Sequence, residues 1–367
     1  MTSITNELLK DPLFQLNAVL WLSQPLPEEH EISPLLNRQG FVVYAIAPLL
    51  SLPPDLRLEA QTARISMKEG VRPDVVLTLE KDRKFAFIEC KASSFSMESL
   101  KSEKPDQSRS LLIIAGPRSV EILGLPAGQI SSSLLGYVIP ETEHDLMTQT
   151  LVKLQKELHS SRLPAGQFTV LGLLMRDVDV SIVVNDLGGN FFALTSGPNP
   201  FLKREPDTDP RPLYFIPYDP DLIGQQTDEE KLFCKRVLFE RMLSTIITAV
   251  GRANPPTEVP LKSRDVLNDA MFGMYEHWEN SDSARHMRKL CRQFMDALMK
   301  AVESVAPGIV PFQPKEGWGL SLKDQDQQEK TIDALTRFSC ESLDLRTEPP
   351  PDLFDNLENG GPAGTGT

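Results

Sequence analysis

The chain has 367 residues, 40% of them hydrophobic, and a formal net charge of −13 at pH 7. Its length suits two domains, and its apolar content is enough for a sizeable core. The acidic balance argues against a free-standing, tight nucleic-acid binder, because phosphate affinity comes from lysine and arginine.

Four widely separated cysteines without a CxxC pair argue against a zinc cluster and against a disulfide framework. No apolar run approaches the length needed to span a bilayer, and the first residues lack a signal-peptide pattern. We therefore expect a soluble, cytoplasmic protein.

Helix and strand patterns alternate through residues 32–195, which predicts an α/β domain after an N-terminal helical and loop extension of residues 1–31. A short helix is expected ahead of Gly40, and a longer one over Asp145–His159. The predicted strands are Phe41–Ile46, Val75–Leu79, Phe85–Cys90, Leu111–Ala115, Leu134–Ile139, Phe168–Leu174 and Val178–Val184.

The composition changes in the C-terminal part of the chain. Residues 196–226 contain seven prolines and are typical of a linker. Residues 227–340 carry apolar residues at helical spacing, over Asp228–Val250, Asp265–Trp278 and Asp282–Val305, which predicts an all-helical domain for DNA or partner contact. The last 27 residues hold six acids, one arginine and three consecutive prolines, which is typical of a disordered acidic tail.

The most informative segment is a predicted hairpin with charged ends. Asp74 opens its first strand, and Glu89 and Lys91 close its second. Alternate residues of a strand point to the same face, so Glu89 and Lys91 emerge together, and antiparallel pairing brings Asp74 near Glu89. Two carboxylates suit Mg²⁺ or Mn²⁺, and a neighbouring lysine can hold or deprotonate a water and contact a phosphate. The alternative is an ordinary hairpin with a turn acid and a solvated lysine.

Pro73-Asp74, fourteen intervening residues and Glu89-Cys90-Lys91 resemble the PD-(D/E)xK nuclease superfamily, which has the restriction-endonuclease-like fold. The resemblance implies a mixed central sheet flanked by helices, with Asp74 and Glu89 as ligands of Mg²⁺ or Mn²⁺ and Lys91 as a catalytic residue. It also implies a metal-dependent nuclease acting on DNA. Such a nuclease would be a restriction or anti-phage defence effector that works with a partner protein, such as a separate ATPase, or as a homo-oligomer.

Two further positions extend the resemblance. In Mrr-like and Holliday-junction-resolvase-like members, a glutamate on the first helix reaches the metal. Glu29 matches that position best, Glu28 and Glu31 are alternatives, and an acid that only complements a helix dipole is the competing interpretation. Several branches place a glutamine about where Gln107 stands, sixteen residues after Lys91, near the site or the nucleic-acid backbone. The alternative for Gln107 is a polar residue ahead of the next strand.

A stripe of basic residues lies on the predicted helix Asp282–Val305. Its members fall at i, i+3, i+4 and i+7 and are Arg285, Arg288, Lys289 and Arg292. In an acidic chain this stripe is the best candidate for contact with nucleic-acid phosphates. A solvated or salt-bridged helix face is the alternative.

Three function classes remain. The first is a metal-dependent deoxyribonuclease. The second is a catalytically inactive nuclease-like fold that serves as a binding or assembly subunit of a multiprotein complex. The third is an unrelated α/β scaffold in which Asp74, Glu89 and Lys91 are structural.

Overall fold

Seven strands form one mixed sheet in the N-terminal part of the chain. In chain order the strands of the computed structural model are β1 (Val42–Ile46), β2 (Leu50–Ser51), β3 (Gly70–Val71), β4 (Val75–Leu79), β5 (Lys84–Cys90), β6 (Ser132–Pro140), β7 (Gln167–Met175), β8 (Asp179–Val184) and β9 (Gly197–Lys203). The order across the sheet is β1-β4-β5-β6-β7-β8-β9, and β2 pairs with β3 separately. β5, β6 and β7 run parallel, and all other neighbours are antiparallel.

The structure describes residues 7–25, 31–96, 103–126, 130–184, 191–203, 214–278, 282–310, 317–339 and 343. Glu28, Glu29 and nearly all of the predicted acidic tail lie outside these residues. The chain divides into two compact units, of which the first comprises Met1–Ile216 and Glu276–Ser281 and the second Pro217–Tyr275 and Asp282–Thr367.

The helices of the first unit are α1 (Pro12–Ser23), α2 (Pro54–Thr62), α3 (Lys104–Ile114), α4 (Ser119–Ile122) and α5 (His144–Ser160). Helix α1 begins where its sequence favours a start, because Asp11 caps Leu13 N at 2.9 Å and Pro12 occupies the first turn. All residues of α1 are buried. This helix is therefore part of the core of the first unit and not a separate extension.

The main core lies between one face of the sheet and the helices α3 and α5. Phe87, Tyr137 and Val170 contribute to it from three adjacent strands, and Leu111–Ile114 contribute from α3. Gly166 permits the close approach of two backbone segments, because a Cβ there would lie 2.0 Å from Ala115 O. This contact holds the C-terminal end of α3 against the start of β7.

The second unit contains helices and one small sheet. Its helices are α6 (Asp228–Gly251), α7 (Ser263–Ala270), α8 (Asp282–Val305) and α9 (Gln325–Arg337), and its strands are β10 (Thr257–Lys262) and β11 (Gly317–Leu322). Helix α6 starts with a capping box of Thr227 and Glu230. Among the described residues, none of the helices combines the length and apolar character needed to cross a membrane.

The α/β class is confirmed, with a mixed seven-stranded sheet flanked by helices and further helices toward the C-terminus. The hairpin of β4 and β5 is confirmed as an antiparallel pair. The helix expected at Asp145–His159 is confirmed as α5, and the expected β pair as β7 and β8.

Several expected elements are wrong. Leu111–Ala115 is not a strand, because Leu111–Ile114 form the last turn of α3 and are buried against the core. Instead of the short helix expected just ahead of Gly40, residues 31–39 form a 3-10 helix, Asn37–Gln39, and a β-bridge at Ile32.

The expected boundaries between the domains also differ. Gly197–Lys203, inside the predicted linker, form the edge strand β9 of the main sheet. The C-terminal region is not all-helical, because β10 and β11 pair there. The helix expected over Asp265–Trp278 ends at Ala270 and is followed by the 3-10 helix Met274–His277.

Candidate active site

The hairpin brings Asp74 to the end of β5. Asp74 immediately precedes β4, and Val75 pairs with Ile88 of β5. The Asp74 Oδ2 atom accepts a hydrogen bond from the backbone N–H of Cys90 at 2.5 Å. Asp74 therefore contacts Cys90, the residue that separates Glu89 from Lys91.

Glu89 is a buried carboxylate with only 2% of its side chain exposed. Its Oε1 atom accepts from Lys91 Nζ at 2.5 Å and from Gln107 Nε2 at 2.8 Å. Its Oε2 atom is buried and has no hydrogen-bond partner among the residues that the structure describes. One oxygen of this carboxylate is thus held by two donors, and the other is available for a ligand.

Burial and mutual charge set the protonation of these groups. Burial raises the pKa of Glu89, and the Lys91 ammonium and the Gln107 amide act in the opposite direction. Burial alone would lower the pKa of Lys91, but the carboxylates of Glu89 and Asp74 outweigh it and raise that pKa above its usual value. Lys91 is therefore a stable cation in this arrangement.

Cys90 is excluded as a nucleophile. Its pKa is raised well above the usual value, first by burial and then by the charges of Asp74 and Glu89. Only a thiolate is strongly nucleophilic, so this buried thiol is inert at neutral pH.

Neighbouring elements hold the strand end in place. Tyr137 of β6 pairs in register with Glu89, and its hydroxyl lies 2.6 Å from Ser108 Oγ on α3. The Lys91 N–H donates to Val138 O at 2.9 Å, and the Lys91 carbonyl accepts from Gln15 Nε2 at 2.9 Å. Parallel pairing and helix packing thereby fix both main-chain polar groups of Lys91.

The sequence did not single out Gln15. The sequence nevertheless contains a feature that could have identified Gln15. Gln15 and Asn17 are polar residues within the apolar run from Pro12 to Leu22, and in the structure both are fully buried. Buried amides in an apolar helix need hydrogen-bond partners, and such partners are often main-chain groups.

Among the other predicted site residues, Gln107 lies at this point, and the glutamate of the first helix is not observed there among the described residues. Glu29 lies outside the described residues, and the alternative Glu31 is exposed, with its main-chain oxygen bonded to Lys203 N of the edge strand β9. Gln107 is on α3 rather than ahead of a strand, and it does contact Glu89.

The basic stripe of Arg285, Arg288, Lys289 and Arg292 lies on α8 in the second unit. Arg285 forms an ion pair with Asp282. This ion pair lies within the second unit and agrees with the alternative interpretation of a salt-bridged helix face at Arg285.

A divalent cation is compatible with the donor set at the end of the hairpin. Asp74 and Glu89 carry two negative charges against the single positive charge of Lys91, and the Glu89 Oε2 atom lacks a partner in the described part of the chain. Mg²⁺ takes one or two carboxylates and keeps several waters, so two protein ligands suffice. Within the described ranges, no group of three or more histidine, cysteine or acidic residues has the spacing of a metal site.

Comparisons of the chain with protein-family models, with curated proteins and with solved structures found no match. We therefore infer the function from the geometry of Asp74, Glu89, Lys91 and Gln107.

Proposed function

We propose that this chain is a Mg²⁺- or Mn²⁺-dependent nuclease that hydrolyses phosphodiester bonds of DNA. The observation that carries the proposal is the buried Glu89 carboxylate, with one oxygen fixed by Lys91 and Gln107 and the other without a partner among the described residues. A buried acceptor without a hydrogen bond costs about 1–3 kcal/mol. A cation bound at this oxygen would remove that cost.

Each residue has a distinct task in this proposal. Glu89 and Asp74 hold the cation, and Gln107 fixes the Glu89 carboxylate by its Oε1 atom. The bound cation would lower the pKa of a water ligand and stabilise negative charge on the phosphate. Lys91 orients or deprotonates the attacking water and contacts the phosphate.

The charge of the chain bears on how the substrate arrives. A net charge of −13 weakens unaided binding to a polyanion. We therefore propose that DNA is presented by a partner protein, such as a separate ATPase, or by a homo-oligomer. We propose that this partner-dependent nuclease acts as a restriction or anti-phage defence effector.

One observation favours a second function, a binding or assembly subunit without catalysis. The charges of Glu89 and Lys91 neutralise each other, and Gln107 donates a second hydrogen bond to Glu89 Oε1. The same geometry can therefore support a folded nuclease-like domain that does not cut. Cleavage separates the two functions.

The test is a cleavage assay of the full chain on supercoiled plasmid and on linear DNA, with Mg²⁺ and with Mn²⁺. We expect metal-dependent cutting that falls by at least about 100-fold in Lys91→Ala, because electrostatic stabilisation of the transition state is lost. The matched control is Lys84→Ala, at the other end of the same strand, where Lys84 is 27% exposed and lies 3.9 Å from Asp82. The control should cut like the wild type.

Two results would count against the nuclease. One is DNA or partner binding by a folded wild type that does not cut with either metal, even with its co-purifying partner present, which supports the binding subunit. The other is equal cutting by wild type and Lys91→Ala, which places the activity elsewhere.

A further inference from the structure

Helix α1 carries two fully buried amide side chains, Gln15 and Asn17, that reach distant parts of the first unit. Gln15 Nε2 donates to Leu9 O at 2.7 Å and to Lys91 O at 2.9 Å. Asn17 Nδ2 donates to Leu13 O and Ile216 O, both at 2.9 Å, and its Oδ1 atom accepts from Ile216 N at 3.0 Å. The two amides thus make similar numbers of hydrogen bonds, but to different parts of the first unit.

The Gln15 contact falls on the residue that the proposed function uses as its cation. Lys91 follows the last residue of β5, so strand pairing alone does not give its carbonyl a hydrogen-bond partner. Its N–H is bound to Val138 O, and its carbonyl is bound to Gln15. Fixing both groups fixes the direction of the Cα–Cβ bond, and so the path of the side chain toward Glu89.

Packing alone does not explain a glutamine at position 15. Its Oε1 atom is buried and has no hydrogen-bond partner in the portion of the chain that the structure describes. A leucine or methionine would fill the same space without a lone acceptor, and Asn17 shows that a buried amide on α1 can use both of its polar atoms. Local rules are broken in this way chiefly where function constrains a residue.

We propose that Gln15 is a positioning residue for Lys91, acting from α1 through the Lys91 carbonyl to set the ammonium against Glu89. This inference rests on the proposed function for its catalytic meaning, but its geometric content is independent of whether the chain cuts DNA. If Gln15 acts through Lys91, removing Lys91 first must reduce the effect of removing Gln15.

The test is a double-mutant cycle on the full chain, with Gln15→Met made in the wild type and in Lys91→Ala. We expect the shift in urea midpoint caused by Gln15→Met to fall by about half in the Lys91→Ala background, because the ion pair it supports is already absent. Asn17→Leu is the matched control and should cause the same shift in both backgrounds. Gln15→Asn, whose shorter side chain cannot reach the Lys91 carbonyl, repeats the cycle if Gln15→Met does not fold.

Cleavage gives the second readout. In a wild-type background Gln15→Met should lower kcat by about 10-fold or more with little change in KM, and it should add nothing to Lys91→Ala. Asn17→Leu should leave kcat within about twofold.

Equal midpoint shifts from Gln15→Met in both backgrounds would overturn the positioning role, since they describe a residue that only stabilises the fold. A wild type that does not cut would remove the nuclease proposal, but the midpoint cycle would still decide the role of Gln15.

Discussion

Removing the Lys91 ammonium while keeping an apolar side chain, in Lys91→Met, isolates the electrostatics of the site. The Lys91 Nζ and Glu89 Oε1 atoms are 2.5 Å apart, which corresponds to a gross attraction of about 7 kcal/mol at an effective dielectric of about 20. Desolvation offsets much of this attraction. Breaking a buried pair by removing one partner typically costs about 3–5 kcal/mol. Because 22% of the Lys91 side chain is exposed, we expect the lower end, about 3 kcal/mol.

The pH dependence of this loss has a defined sign. Burial already raises the pKa of Glu89, and loss of the ammonium raises it further. The folded state then holds a proton that the unfolded state releases, so the free energy of unfolding falls as the pH rises from the unfolded pKa through the folded one. Lys91→Met should therefore be more destabilised at about pH 8 than at about pH 5.

The assay is urea unfolding followed by tryptophan fluorescence, since the buried Trp21 and Trp278 both belong to the first unit. Wild type, Lys91→Met, Glu89→Gln and the double variant complete a cycle. The double variant should lose about 2 kcal/mol less free energy of unfolding than the two single variants lose together, because each single variant breaks the same ion pair. A loss below about 0.5 kcal/mol in Lys91→Met, with an additive cycle, would refute a strong buried pair.

Two further predictions follow from packing and from hydrogen bonding. Gly166→Ala should destabilise the first unit by at least about 3 kcal/mol in urea unfolding, since the new Cβ would lie 2.0 Å from Ala115 O, whereas Gly251→Ala, with open space around it, should be close to neutral. Gln107→Leu removes a donor that lowers the pKa of Glu89, so its stability loss should be larger at about pH 8 than at about pH 5, and a loss independent of pH would contradict this assignment.

The sequence predicted the hairpin of the site because two apolar runs flank a polar turn, and a strand alternates its side chains between two faces. These local patterns placed Glu89 and Lys91 on one face, and pairing brought Asp74 to Cys90. The same reasoning failed at Leu111–Ala115, since an uninterrupted apolar run has no period that separates a strand from a helix buried on all sides.

Other features depend on long-range packing. The seven prolines of residues 196–226 suggested a linker, but proline is tolerated in an edge strand such as Gly197–Lys203, where some N–H groups need no partner. Gln15 could be recognised as a buried polar residue, but its partner lies 76 residues away at Lys91. Only the packing of α1 against the end of β5 reveals that contact.

The central claim is that Asp74 and Glu89 hold a divalent cation, and titration with Mn²⁺ followed by electron paramagnetic resonance tests it most directly. We expect the wild type to bind Mn²⁺, and we expect Asp74→Asn and Glu89→Gln each to weaken that binding by at least about 10-fold. Glu80→Gln, at an exposed position after β4, is the control and should bind like the wild type. Equal Mn²⁺ binding by wild type and Glu89→Gln would contradict the claim.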